Sequence, residues 1–332
     1  MNKSAKEEYV LAGDIGGTKT NLGIFVMGKR RPLLKGSHSY PSREFKGLED
    51  IVDLFLSESP LKIQKSCFGV AGPVENGKCK ATNLPWQIFD SRIKKRFGMG
   101  KVKLVNDLSA MALSIPYLTK SEIFTLNATR SEKKGNISLI APGTGLGQAL
   151  LIYNEGEYIP VPSEGGHVDF APGNKLEVGL LKYLWGEYGH VSIERIISGM
   201  GILNIYNYLK TTGRYHEPRW LAEKMKREDP ARAINESASE KRQKLCLKTI
   251  DTFLSILGAA AGNLALTGLT KGGLYIGGGI PPKLLWRFKE DIFMKSFKSK
   301  GRFSGLLEKI PVNIILNNNA ALLGSAIEAF KF

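Results

Sequence analysis

Three carboxylates in this chain stand where a carboxylate has chemistry to do. Asp14 lies inside a glycine turn, Asp107 lies where a strand gives way to a helix, and Glu164 shares a loop with His167. The turn Gly13-Asp14-Ile15-Gly16-Gly17-Thr18 follows the apolar run Tyr9 to Ala12 and precedes Asn21 to Val26, a stretch rich in β-branched and aromatic residues. The pattern is strand, glycine turn, strand, without the helix that a Rossmann fingerprint or a Walker loop opens. Glycines let backbone N–H groups approach an anion, and Thr18, Thr20 and Lys19 add donors around them. Asp14 would repel a phosphate unless a divalent cation sits between the two. The combination reads as a Mg-nucleotide turn, with an ordinary glycine hairpin as the alternative.

The same pattern recurs once. Ile137 to Ala141 and Gln148 to Tyr153 are strand-like and flank Pro142-Gly143-Thr144-Gly145-Leu146-Gly147. Two such turns are suited to clasping a polyphosphate from both sides. Asn106-Asp107 ends one strand and begins a helix, which suits an N-cap. A carboxylate at the carboxyl end of a strand in an α/β sheet is equally placed to take a proton from an attacking hydroxyl. In Ser163-Glu164-Gly165-Gly166-His167-Val168-Asp169 the glycines allow Glu164 and His167 to point the same way. Three readings stay open: a metal site with Asp169, a structural turn, or a polar pair for a polyol. Glu194, in a helix start capped by Ser192, reads first as a partner of the helix dipole and second as a sugar-binding carboxylate. Ser198 to Gly201 and Gly277-Gly278-Gly279 are glycine turns against which a flat nucleoside could lie.

The elements that must position these groups follow from periodicity. Strands are expected at Leu33 to Tyr40, Ser66 to Ala71, Val102 to Val105, Gly273 to Ile276 and Val312 to Leu316. Helices are expected at Gly47 to Ser57, Asp90 to Phe97, Asp107 to Ile115, Leu176 to Glu187, Ile193 to Leu209, Arg219 to Met225, Ser237 to Leu266 and Ala320 to Phe330. The small residues Gly258 to Gly262 predict close packing of the long helix against its neighbours. Two α/β domains follow: residues 1–117 with the C-terminal helix 318–332, and residues 118–317.

Composition narrows the classes. The chain has 332 residues, 42% apolar and 23% charged, in the range of a globular protein. Met1 to Glu8 is polar and has no apolar signal core, and Phe253 to Leu269 is interrupted by Ser255, Asn263 and glycines. A buried helix, and no membrane partner, is the expectation. The net charge of +16 is dispersed, without a basic stripe or a nucleic-acid-binding signature, so it reads as a basic surface that attracts anionic substrates. Cys67, Cys79 and Cys246 form no CxxC pair; a cytoplasmic protein without structural zinc is expected.

Taken together, Gly-Asp-Ile-Gly-Gly-Thr at 13–18, Val-Asn-Asp-Leu at 105–108, Gly-Thr-Gly-Leu-Gly at 143–147, Glu-Gly-Gly-His-Val-Asp-Phe-Ala-Pro at 164–172, the 189–199 segment and Gly-Gly-Gly-Ile at 277–280 resemble the bacterial glucokinase family. The Glu-Gly-Gly-His-Val-Asp-Phe block is the specific one; the first turn alone would mark only the broad ATPase class. The resemblance implies an actin/hexokinase-like ATPase fold of two α/β domains, with an interdomain active-site cleft that closes on sugar. It implies ATP-dependent phosphorylation of glucose at C6, with Asp107 as base and Asn106, Glu164, His167 and Glu194 on glucose. ATP phosphates would lie against Gly13, Asp14, Ile15, Gly16, Gly17, Thr18, Gly143, Thr144 and Gly145, with Gly278 also at the nucleotide and Asp14 on Mg²⁺ through water. The cysteine-rich zinc motif of the related repressor/ORF/kinase group is missing after His167. Lys19 stands where some members carry Asn. A kinase for another hexose or an N-acetylhexosamine, a non-catalytic sugar sensor and a homodimer are further expectations. A sensor that acts on DNA would need an added segment, for which the stretch before the first strand is too short.

Overall fold

The computed structural model describes residues 7–59, 61–127, 129 and 132–332. The chain forms two compact units. One takes the chain to Lys120 and adds Tyr158–Pro162 and Asn317–Phe332; the other holds Ser121–Glu157 and Ser163–Leu316. Residues 1–6 of the polar N-terminal stretch lie outside the described residues.

The first unit is built on β1 (Tyr9–Ile15), β2 (Lys19–Met27), β3 (Pro32–Pro41), β4 (Lys65–Val70) and, after the small sheet β5 (Val74–Glu75), β6 (Lys78–Lys80), β7 (Gln87–Phe89), on β8 (Lys101–Asn106). The large sheet runs β3-β2-β1-β4-β8, antiparallel from β3 to β1 and parallel from β1 to β8. Strand β1 is apolar on both faces, as a strand covered on both sides must be. Leu11 and Ile15 face a layer that includes Leu48, Ile51, Val52, Trp86 and Ile88, with α1 (Leu48–Ser57) among its elements. Val10 and Ala12 face Leu322, Leu323 and Ala326 of the C-terminal helix Ala320–Phe330, whose bounds agree with the sequence expectation. By the period of two, Asp14 falls on this second face. Helices α2 (Asp90–Phe97) and α3 (Asp107–Ser114) complete the unit.

The second unit contains β9 (Ile123–Thr125), β10 (Ile137–Pro142), β11 (Leu146–Asn154), part of β12 (Glu157–Ser163), β13 (Gly273–Ile276) and β14 (Val312–Ile315). Strands β11-β10-β13-β14-β9 lie in that order, with β10, β13 and β14 parallel. Each unit thus contains an antiparallel hairpin whose first strand also pairs with a parallel neighbour. Behind the second sheet lie α4 (Lys175–Tyr188), α5 (Gly199–Thr211), α6 (Arg219–Arg227), α7 (Pro230–Ser239) and α8 (Lys244–Gly268). A Cβ on Gly258 would come within 2.3 Å of the Phe293 carbonyl oxygen, and one on Gly262 within 2.6 Å of that of Phe297. The small residues let α8 lie against the backbone of Ile292–Lys298, as their spacing predicts.

Two expected helices are interrupted. The helix expected over Ile193 to Leu209 is a short 3-10 turn, Ile193–Arg195, followed by α5, and Ser198 rather than Ser192 supplies the side-chain cap, accepting from Gly201 N. The glycine at 201 permits the fold-back, since a Cβ there would lie 2.2 Å from Ile196 O. The helix expected from Ser237 is α7 ending at Ser239 and α8 beginning at Lys244. Arg242 takes a left-handed φ of 51° and Gln243 caps α8 through Cys246 N. No Gly or Pro marks that break, so periodicity reads through it.

Candidate active site

In the first unit the carboxyl ends of three parallel strands are in register: Ile15 pairs with Val70, and Val70 with Asn106. Two strand spacings, about 10 Å, separate the Asp14 strand from the start of α3. The glycine turn is closed by Gly16 N donating to Lys19 O at 2.9 Å. Ser42, fully buried, holds it from below: its N–H donates to Thr18 O at 3.0 Å and its hydroxyl to Gly16 O at 2.8 Å. The Thr20 hydroxyl lies 3.0 Å from Ser42 Oγ and is buried, so it anchors the turn instead of facing an anion. This corrects the expectation for Thr20. Within β2 alternation turns Thr20 inward and Lys19 outward, while Thr18, in the turn before the strand, is exposed. Ser325 of the C-terminal helix donates to Gly13 O at 2.8 Å and accepts from Gly69 N at 3.2 Å, tying the helix to β1 and β4. Neither serine carries a sequence signal beyond a lone hydroxyl in an apolar setting.

Asp14 is half-buried and accepts from Asn21 Nδ2 at 3.2 Å. Burial pushes its carboxyl above the ordinary range, and the Asn21 bond opposes that only in part. Among the described residues no Lys or Arg forms an ion pair with it, and no group of three or more His, Cys, Asp or Glu could hold a metal ion. Asn106, not Asp107, is the N-cap of α3: its Oδ1 accepts from Leu108 N at 3.0 Å and Ser109 N at 3.2 Å. Asn106 Nδ2 donates to Gly72 O at 3.3 Å, so its carboxamide keeps one N–H donor. Asp107, the first residue of α3, is half-buried, and its Oδ1 also takes the Leu108 N–H at 2.9 Å.

In the second unit the segments converge on one residue, Leu146, the first of β11. Its N–H donates to Glu194 Oε2 at 2.8 Å. Its carbonyl oxygen lies where a Cβ on Gly166 would come within 2.0 Å, so only glycine lets the Glu164–His167 loop lie this close. Glu164 and His167 are both largely exposed and approach each other to 4.0 Å. Asp169 is drawn off to His190, Oδ1 to Nε2 2.8 Å, so Glu164, His167 and Asp169 do not form a three-ligand group. In the turn itself Gly143 N donates to Gly145 O at 2.8 Å, with Thr144 exposed between them. Gly199 N, at the start of α5, donates to Gly143 O at 2.9 Å, and Gly277 N to Ile140 O at 2.9 Å. Gly278 has φ 86°, and a Cβ on it would lie 2.3 Å from Pro142 O. Three glycine segments, one of them the N-terminus of α5, therefore meet at the end of β10, which is chemistry suited to phosphate oxygens. The roles of Leu146, Ser42 and Ser325 rest on backbone contacts that residue types do not announce.

Two α/β units, each with a glycine-turned hairpin beside parallel strands, are the construction of the actin/hexokinase-like phosphotransferases. The structure superposes with a TM-score of 0.87 on a glucokinase from an Antarctic psychrotroph, at 30% identity over 98% of this chain and all of the other. A glucokinase from Balamuthia mandrillaris, solved in complex with glucose, gives a TM-score of 0.81 at 20% identity over 99% and 95% of the two chains. The glucokinase of Trichormus variabilis is 40% identical over 97% of this chain and 99% of its own. A family model described as Glucokinase matches residues 11–331, and the chain belongs to the glucokinase family.

Proposed function

We propose that this protein phosphorylates glucose at its C6 hydroxyl with ATP. The observation that carries the reading is the convergence on Leu146. One backbone unit is held by Glu194 on its N–H side and pressed by the Glu164–His167 loop on its carbonyl side. Sugar-reading groups and the phosphate turn are thereby parts of one piece of structure. Glu164, His167 and the second oxygen of Glu194 pair with ring hydroxyls, and the one remaining donor of Asn106 adds to them. Asp107 takes the proton from the C6 oxygen as that oxygen bonds to the γ-phosphorus and the β–γ bridging oxygen leaves with ADP. The turns at Gly13 to Thr18 and Gly143 to Gly145, with Gly278, supply backbone donors to the phosphates. The donor is taken as its Mg²⁺ complex. Asp14, a desolvated carboxylate without a cationic partner among the described residues, fits a hydrated cation as its counter-charge, and Mg²⁺ requires few protein ligands when phosphates supply the rest. The cation would neutralise charge on the phosphate oxygens.

The test is a coupled assay for sugar 6-phosphate over glucose, mannose, fructose and N-acetylhexosamines, with ATP and polyphosphate compared. Glucose with ATP is expected to give the highest kcat/KM. A higher value for another sugar, or for polyphosphate, replaces the substrate assignment; no turnover with any of them overturns the kinase reading.

A further inference from the structure

Asp169 and His190 take no part in the chemistry above, yet they join the two segments that carry it. The first segment runs from Glu164 through Asp169 and is anchored by Phe170; the second runs from His190 to Glu194 and is anchored by Val191 and Ile193, all three anchors buried. Backbone bonds lace them into a short antiparallel clasp: Phe170 N donates to Val191 O at 3.0 Å and Ile193 N to Val168 O at 2.9 Å, around an Asp169–Ser192 bridge. The His190–Asp169 bond of 2.8 Å closes the outer edge, with His190 placed by Gly189, whose φ of 67° turns the chain out of α4. Both side chains are largely exposed, 62% and 90%. An exposed ion pair contributes little to stability, typically about 0–1 kcal/mol. Between the buried glycine at 166 and the buried Phe170, residues 167–169 are exposed, and apart from the clasp their backbone is held by His167 N donating to Glu164 O at 3.0 Å.

We infer that Asp169 and His190 are a positioning pair that holds the Glu164–His167 loop in one orientation relative to Glu194, so that the sugar is read by a preset arrangement. The inference rests on the sugar-kinase reading and deepens it. A loop that must be ordered at each binding event weakens affinity for the sugar it reads. The bonds that hold the 143–146 turn, Gly143 N to Gly145 O, Gly199 N to Gly143 O and Leu146 N to Glu194, involve none of residues 167–169.

The test is a double-mutant cycle on the full chain: Asp169→Ala, His190→Ala, both together, and Asp169→Asn, which keeps an acceptor for the His190 N–H. Each alanine variant is expected to raise the sugar KM about three- to tenfold, with the nucleotide KM and the melting temperature close to the parent's. The double variant is expected to be no worse than the poorer single, and Asp169→Asn to stay near the parent. Unchanged sugar KM in both singles, equal losses for sugar and nucleotide, or additive losses in the double would overturn the positioning role. Amide hydrogen exchange of residues 164–169 gives a second readout that needs no substrate. It should quicken in Asp169→Ala, and unchanged exchange overturns the inference even if the parent phosphorylates no sugar. An inactive parent with quickened exchange in the variant would strike the kinase reading alone.

Discussion

Glu194 and Leu146 are 48 residues apart in sequence and share one hydrogen bond, the carboxylate Oε2 accepting the Leu146 N–H at 2.8 Å. One oxygen of Glu194, the carboxylate proposed to read the sugar, is thus spent on the first residue after the turn proposed to hold phosphate, where a Cβ on Gly145 would sit 2.5 Å from it. An amide N–H left without its acceptor costs about 1–3 kcal/mol. Glu194→Ala is therefore expected to raise both the sugar and the nucleotide KM. Glu194→Gln, which retains an acceptor, should act mainly on the sugar. Initial-rate kinetics with each substrate varied separately decide this; a loss confined to the sugar in Glu194→Ala would dissociate the bond from the phosphate turn.

Asn106 caps α3, and its neighbour Asp107 is the proposed base. Asn106 accepts the two N–H groups at the start of α3, so its replacement by Ala should lower stability by about 1 kcal/mol. Asp107→Asn should leave the denaturation midpoint almost unchanged while turnover falls by roughly 10²–10⁴-fold, the scale of lost general-base assistance. A large loss of stability with retained turnover would make Asp107 the structural residue.

Asp14 supplies a prediction about pH. Burial raises its carboxyl pKa in the folded state. In the interval just above the ordinary carboxylate range the folded chain therefore binds more protons than the unfolded one. Stability from this group is full below that interval and is lost as pH rises through the folded pKa. Asp14→Asn removes the penalty, so at neutral pH the variant should unfold at a denaturant concentration equal to or above the parent's, and the difference should shrink at low pH. Its activity should fall and its Mg²⁺ requirement rise. A variant less stable than the parent at neutral pH, yet equally active, would remove Asp14 from the nucleotide site.

The Glu164–His167 loop depends on glycine for its approach to β11. In Gly166→Ala the new methyl would meet backbone, Leu146 O at 2.0 Å, which cannot move aside as a flexible side chain can. A destabilisation of roughly 1–3 kcal/mol is expected, read as a lower denaturation midpoint. Glu164→Gln leaves that packing intact. It should raise the glucose KM about tenfold without altering the nucleotide KM, because a polar site left with a mismatched partner loses selectively. Loss on the nucleotide side would move the loop to the other substrate.

The residues by themselves determined the local structure and the family. Glycine turns, apolar alternation and helical spacing depend on short-range sterics and on the period of the backbone. Hence both hairpins, the parallel strand Lys65–Val70 and the C-terminal helix Ala320–Phe330 were legible, the last to its bounds. The motif blocks around Gly13, Asp107, Gly143 and Glu164 pointed to the glucokinase family, and the match over residues 11–331 agrees. Tertiary structure alone decided how each polar group is spent. Thr18 in the turn and Thr20 at the start of β2 are two residues apart, but Thr20 is buried on Ser42 and Thr18 is exposed. Asp169 is drawn to His190, and Glu194 holds Leu146. The helix break at 240–243 belongs to the same class, with no breaker residue to announce it. A hydrogen bond needs a partner brought within about 3 Å. Partners 20 to 50 residues away are set by strand register and helix packing, which residue types and spacing do not encode locally.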